Sequence, residues 1–263
     1  MADMREVPLP GGFTNAGRVV RLGDTVRRPR RPTSAATQAL LDHLEKVGFS
    51  GAPRFLGIDD DGREILSFIR GEAALEPLPT WALTDDALVG VAELLRRYHD
   101  AAASFDGSVL SWSHAVPAAF RSSLVCHNDP NLDNVIFRGG RAVALVDFDL
   151  AGPACAAWDV ACASRLWAPL RDDGDVPESV RGRSLARLRL FVDAYGLPRP
   201  ERERVVDAMV DAHDWCYRVV RDAVAAGHEP FGRMWHGGGA ERAVRTRAWL
   251  AAHADEMRAV LGV

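Results

Sequence analysis

The side chains with the clearest chemical potential in this chain lie in Cys126-His127-Asn128-Asp129-Pro130-Asn131-Leu132-Asp133-Asn134 and in Val146-Asp147-Phe148-Asp149. The order is His-x-Asp, an Asn five residues past the Asp, then a second Asp beyond a turn. Phosphoryl transfer asks for this set: one carboxylate accepts the proton of an attacking hydroxyl, while an amide oxygen and a second carboxylate hold Mg²⁺ against nucleotide phosphates.

The elements around these residues explain the spacing. Ser123 to Cys126 is a short apolar run that reads as a strand end, and Asp129-Pro130 turns the chain into a loop. Asn134-Val135-Ile136-Phe137 begins a strand, Arg138-Gly139-Gly140-Arg141 is a hairpin turn, and Ala142 to Val146 is the returning strand. A hairpin sets its two ends side by side, so Asn134 and Asp147 meet at one edge with Asp129 in the loop just before it. Three oxygen-bearing side chains then converge, which suits a hard cation. Asp, Asn and Pro are also ordinary turn residues. The strand, loop, strand, turn, strand context around them is what argues for a site.

The stretch from Val125 to Ala163 resembles the core of the aminoglycoside phosphotransferase family, which includes choline-type and other small-molecule kinases. The match runs through His127-Asn128-Asp129, Asn134, Val146-Asp147-Phe148 and Asp159-Val160-Ala161. The resemblance implies Asp129 as catalytic base, Asn134 and Asp147 as Mg²⁺ ligands, and His127 and Asp159 as supports of the loop. Asn128 stands where the family has Gly, and Asn tolerates unusual backbone angles better than most residues.

Composition agrees with an ordinary folded enzyme. The 263 residues are 48% hydrophobic and 26% charged, enough for a sizeable core. A net charge of −4 gives no sign of nucleic-acid binding. No apolar run reaches membrane-span length, and Met1 to Arg5 does not read as a signal peptide. Cys126, Cys155, Cys162 and Cys216 form no CxxC pair and read as reduced residues of a cytoplasmic protein.

Lys46 is the sole lysine, so the chain has no GxxxxGK phosphate loop. Kinase-type lobes place a lysine on the third strand to reach the nucleotide phosphates. Lys46 sits late in a helical stretch, so the phosphate cation must be an Arg. Thr25-Val26-Arg27-Arg28 reads as a strand after the Gly23-Asp24 turn, with Val26 and Arg28 on one face and Arg27 on the other. Arg28 is the expected phosphate contact and Arg27 its alternative. The helical Glu that pairs with this cation in kinases is missing: the helix over 34–46 has Thr37 and Gln38 there. Upstream, Gly11-Gly12-Phe13-Thr14-Asn15 resembles the family's nucleotide loop, which implies that Gly11, Gly12, Thr14 and Asn15 lie over the phosphates. A glycine turn can present backbone N–H groups to anions without steric clash. The resemblance also implies a hinge at Ser67 to Ile69, whose backbone meets the adenine edge.

Beyond the hinge the pattern is mainly helical. Helices are expected from a Thr84 cap through Ala102, and over 156–167, 184–195, 201–225 and 240–261. His99 reads as a packing residue. The expected fold is α+β and protein-kinase-like, with a small antiparallel lobe over 1–69 and a mainly helical lobe over 70–263. The expected function is transfer of the γ-phosphoryl group of ATP, or of GTP, to a hydroxyl of a small molecule such as an aminoglycoside, amino alcohol or sugar, with Mg²⁺. A catalytically silent nucleotide-binding module is the alternative. A metal-dependent hydrolase is a third reading, and the remaining histidines show no ligand spacing for it. The partner is a small hydroxylated molecule, with no nucleic acid and no membrane.

Overall fold

A computed structural model describes residues 5–10 and 17–263. The glycine loop with Gly11, Gly12, Thr14 and Asn15 lies outside the described residues.

Short alternating segments build the first layer. β1 (Val7–Pro8), β2 (Val20–Leu22) and β3 (Thr25–Arg28) are followed by α1 (Ser34–Lys46), β4 (Phe55–Ile58) and β5 (Glu64–Ser67). The strands form one antiparallel sheet in the order β1-β2-β3-β5-β4. α1 buries Leu40, Leu41 and Leu44 along one stripe, as 3.6-residue periodicity requires. Gly71 carries the chain out of this sheet with φ +150°, and a Cβ there would stand 2.3 Å from the Phe137 carbonyl oxygen. No larger residue fits that crossing.

The second layer is mainly helical. β6 (Glu72–Ala73) leads to α2 (Asp85–Ala102), whose Thr84 hydroxyl accepts from the Ala87 N–H as the expected cap. β7 (Val125–Cys126), β8 (Val135–Arg138), β9 (Arg141–Leu145) and β10 (Gly152–Pro153) follow. β8 and β9 are the expected hairpin, closed by Gly139 and Gly140 at φ +56° and +76°. β6 adds to it in the order β6-β8-β9, and β7 pairs with β10. α3 (Ala156–Trp167), α4 (Ser184–Tyr195), α5 (Arg199–Ala225), α6 (Glu229–Met234), α7 (Ala240–Ala252) and α8 (Ala254–Leu261) complete the chain.

The core lies among α2, α3, α4 and α5. Leu88, Val91, Leu94, Leu95 and Tyr98 of α2 are fully buried, as are Trp158 and Trp215. Each such side chain contributes about 1.5–3 kcal/mol of transfer free energy, which makes this the rigid platform on which the loops rest. Among the described residues no helix is long and apolar enough to cross a membrane.

Two helical expectations change. The stretch 240–261 is two helices, because His253 takes φ −102°, ψ 15°. Its ring stacks on Trp249 and its Nδ1 binds the Trp249 carbonyl, which the His253 N–H also uses. α6, and the turn over Gly237 to Gly239 after it, were not expected, because their glycines carry no helical periodicity.

Candidate active site

The loop after β7 is fixed by Asp159, in the first turn of α3. Its Oδ2 accepts from the His127 backbone N–H at 2.8 Å and its Oδ1 from the Asn128 N–H at 2.8 Å. Burial pushes the Asp159 carboxyl up, but His99 first and then His127 hold it below the ordinary carboxylate range. His99 is more than a packing residue: Nε2 meets Asp159 Oδ2 at 2.9 Å and Nδ1 meets the Tyr195 hydroxyl at 2.7 Å. Cys126 lies close to His99 and Asp159, but both ring nitrogens of His99 are committed, so this trio is a support and not a metal centre. The Trp167 indole N–H donates to the Pro130 carbonyl and braces the loop from the end of α3.

His127 adds a second constraint. Its Nε2–H donates to the Val146 carbonyl at 3.0 Å, and its Nδ1 accepts from the Asp129 N–H at 3.3 Å. One nitrogen donates and the other accepts, which is the neutral imidazole, and burial lowers its pKa accordingly. Asn128 takes φ +64°, and its side-chain amide donates to the Leu150 and Gly152 carbonyls. Asn therefore supplies both the backbone angle and an anchor that Gly would lack.

Asn134 ends the loop at the start of β8. Its Nδ2 donates to the Asp129 carbonyl at 2.9 Å and to Asp129 Oδ2 at 3.1 Å. Both amide hydrogens point at Asp129, so the amide oxygen is the end presented to a cation. The Val146 N–H donates to the Asn134 carbonyl and joins the two ends of the hairpin. Asp147 follows at φ +59°, ψ 70°, and its buried Oδ1 has no hydrogen-bond partner. Desolvation, then the neighbouring Asp149, raises its pKa to about 7, against Arg28 and Arg31. Asp129 is raised too, by burial first and then by Cys216, Asp147 and Asp133, with Arg165 opposing. An orphaned carboxylate oxygen beside a presented amide oxygen, in a cluster that withholds its charge, fits a divalent cation.

Arg28 is buried beneath this edge. Its Nε donates to Glu64 Oε2 at 2.7 Å and its Nη1 to Asp149 Oδ1 at 2.8 Å, while Asp147 Oδ1 stands 3.7 Å away. Glu64 lies directly across from Arg28 in the β3–β5 pairing, and its other oxygen accepts from Gln38 Nε2 of α1. The acid absent from the helix thus sits on the neighbouring strand, and the helix reaches it through Gln38. Sequence reasoning missed Glu64 and Asp149; the register of two adjacent strands carries the first signal, and an acid two residues past Asp147 the second. Arg27 faces the other side, against Thr25 and Asp59.

Two cavities meet here. One of about 580 Å³ is lined by Val26, Arg28, Leu66, Phe68, Ile69 and Ile136. The other, of about 820 Å³, is lined by Trp112, His114, Asp129, Arg165, Cys216 and Tyr217. Asp133, Asn134 and Asp147 line both, while Asp129 faces the second alone. Ser67 lies on the first cavity, but its N–H donates to the Arg54 carbonyl and that of Phe68 to the Asp24 carbonyl.

The description "Phosphotransferase enzyme family" (APH) belongs to the family model that matches residues 108–195. The chain is 34% identical over 269 residues to the trifolitoxin immunity protein of Rhizobium leguminosarum bv. trifolii, covering 97% of this chain and 98% of that one. The chain belongs to the APH phosphotransferase family.

Solved structures share the same fold. A choline/ethanolamine kinase family protein from Mesorhizobium loti superposes with a TM-score of 0.64 at 18% identity, over 99% of this chain and 93% of that one. The gentamicin complex of APH(2")-IIa gives 0.60 at 17%, over 95% and 93%. The GDP complex of aminoglycoside 2'-phosphotransferase-IIIa gives 0.61 at 14%, over 93% and 92%. The kinase-like architecture of this phosphotransferase, an antiparallel sheet followed by a mainly helical region, is the expected one.

Proposed function

We propose that this phosphotransferase moves the γ-phosphoryl group of ATP, or of GTP, to a hydroxyl group of a small molecule, with residues 1–69 and 70–263 acting as the two lobes around the nucleotide. One observation carries the reading: Asp129 lies on the cavity next to the apolar one, and Asn134 and Asp147 form the seam that the two share. A nucleotide in the smaller cavity has Val26, Leu66 and Ile136 against its base and its phosphates toward Asp147. Ile69 is the hinge residue whose N–H is open to the base, because those of Ser67 and Phe68 are committed. The acceptor enters the larger cavity.

Asn134 and Asp147 are the residues that hold Mg²⁺. Bound there, the ion neutralises phosphate charge as it builds in the transition state. Asp129 orients the acceptor hydroxyl and takes its proton late. The Asn134 amide keeps Asp129 in place through its two donor contacts. His127, His99 and Asp159 fix the loop, so positioning rather than strong basicity drives the reaction.

A second reading has support from Arg28. Its guanidinium is bound by Glu64 and Asp149, which suits a nucleotide-binding module without turnover as well as a kinase. The relative's name links such a chain to protection from a toxin. The acceptor panel therefore includes toxic metabolites beside aminoglycosides, amino alcohols and sugars. Incubation with Mg·[γ-³²P]ATP and this panel decides: labelled acceptor supports the kinase, and nucleotide binding without label on any acceptor supports the silent module.

A further inference from the structure

The larger cavity has an apolar wall that the core does not claim. The last buried residue of α5 is Trp215. Beyond it, Tyr217 and Val220 of α5, with Phe231 and Met234 of α6, belong neither to the core nor to the apolar side chains packed on it, and all four line the cavity. None of the six residues of α6 is buried. Trp112 adds another ring to the same lining. Apolar side chains held open toward a cavity, instead of being packed away, mark a place that a ligand covers. Here they share their cavity with Asp129, so the ligand in question is the molecule whose hydroxyl meets that carboxylate.

The charges narrow the ligand further. Among the residues of α5 and α6 that line the cavity, Asp222 is the one acid, and it is exposed. His114 has its pKa lowered by burial, against Asp222, so its ring is neutral at pH 7. Arg165 brings a positive charge to the side of Cys216, and the thiol offsets it. The acidic run over 172–175 lines no part of the cavity: Asp172 accepts from the Gly174 N–H, and Asp175 pairs with Arg245. Glu229 of α6 pairs with Arg233 and is likewise outside the lining. A polycation would therefore find its carboxylates mainly at the seam, where metal and phosphates compete for them.

We infer that the acceptor is amphipathic: one hydroxyl that reaches Asp129, joined to an uncharged apolar chain or ring that rests on Tyr217, Phe231 and Met234. The inference rests on the reading of the larger cavity as the acceptor site. It makes α6 the specificity element of the enzyme, because Phe231 and Met234 touch the body of the acceptor and not its reacting group. A cavity of about 820 Å³ has room for a body of drug size. The apolar contact can be measured without turnover. The full-length protein, with Mg²⁺ and a non-hydrolysable ATP analogue present, is titrated with primary alcohols from butanol to octanol, and ligand-observed NMR gives each dissociation constant. Every added methylene should tighten binding about fourfold until the wall is covered. 6-Aminohexan-1-ol, the charged isostere of heptan-1-ol, should bind at least about tenfold more weakly than heptanol, because its ammonium would lose water against an apolar wall.

Phe231→Ser combined with Met234→Ser should weaken octanol about tenfold and leave butanol nearly unchanged. Neither residue belongs to the core, so the variant is expected to fold; if it does not, the alcohol series and the charged isostere decide on the native protein alone. Affinity that does not rise with chain length, or an amino alcohol that binds as well as its isostere, overturns the inference. A chain-length dependence that survives intact in the double variant places the apolar contact elsewhere and overturns it too. The same alcohols are then offered with Mg·[γ-³²P]ATP. Chain-length-dependent binding without label on any acceptor retains the apolar site and fails the kinase reading. Labelled acceptors without chain-length dependence do the reverse.

Discussion

Replacing Asp147 with Asn should make the ligand-free protein more stable, although it disables the proposed cation site. In the fold Asp147 keeps its proton up to about pH 7, against an ordinary value of 3.8. Between those values the native state binds more protons than the unfolded chain, so each rise in pH favours unfolding. The penalty is absent below about pH 4, grows up to about pH 7 and is constant above. At about 1.4 kcal/mol per pH unit, the full interval amounts to about 4 kcal/mol. The Asp147 side chain is 30% exposed, and solvent screening cuts this to about 2 kcal/mol. Asn has nothing to titrate and accepts the φ of +59° at that position.

The assay is thermal unfolding in EDTA from pH 4.5 to 8.5 for both proteins. Their curves should nearly meet at the acid end and separate by about 5 °C above pH 7, with the variant higher, as about 2 kcal/mol implies for a chain of this size. Groups away from Asp147 are common to both proteins and cancel, whereas Asp129, whose pKa Asp147 helps to raise, is relieved in the variant and adds to its gain in the same direction. Mg·ATP should reverse the order, because a bound cation stabilises the carboxylate that the proton otherwise occupies. Parallel curves, or a native protein that gains on the variant as pH rises, would refute the electrostatic reasoning.

Three further outcomes follow from the same geometry. Asp129→Asn should lower kcat by about 10²–10⁴-fold while calorimetry finds Mg·ATP affinity unchanged, since Asp129 faces only the larger cavity. Glu64→Ala should cost about 3–5 kcal/mol in urea unfolding, because Arg28 stays buried with half its anchors gone. Adding Arg28→Met should recover part of that loss, and the double-mutant cycle reads the coupling. Asp159→Asn should cost about 1–3 kcal/mol and reduce kcat more than nucleotide affinity, because one backbone N–H of His127 or Asn128 then faces an NH₂ group.

Much of this arrangement is legible in the chain because it is local. The hairpin that joins Asn134 to Asp147 follows from a Gly pair between two apolar runs, and the bounds of α1, α3 and α4 follow from periodicity, with Gly196 closing α4. What stayed hidden depends on register or on long range. Whether Glu64 faces Arg28 depends on how β3 slides along β5, and one step of slip would turn Glu64 to the opposite face. His99 lies 60 residues from Asp159, and nothing in a lone histidine on an apolar helix marks it as one link of a relay. Arg165 is one arginine among many until α3 and α5 bury it against Cys216.

The displaced acid has a chemical reason in the switch from lysine to arginine. In protein kinases the strand lysine pairs with a helix Glu through a single terminal ammonium. A guanidinium instead carries Nε along its stem and two nitrogens at its tip, in one plane. A carboxylate directly across the sheet meets Nε from the side, and Glu64 does so at 2.7 Å. The tip then remains directed toward the cleft, where Asp149 takes it at 2.8 Å and Asp147 lies at 3.7 Å. A helix acid aimed at the tip would compete with those two residues. Gln38, neutral and donating, holds α1 to the pair through Glu64 without adding another negative charge beneath a site that already crowds four carboxylates. Thus Gln38, which reads as the loss of a kinase feature, belongs to an equivalent built around the arginine fork.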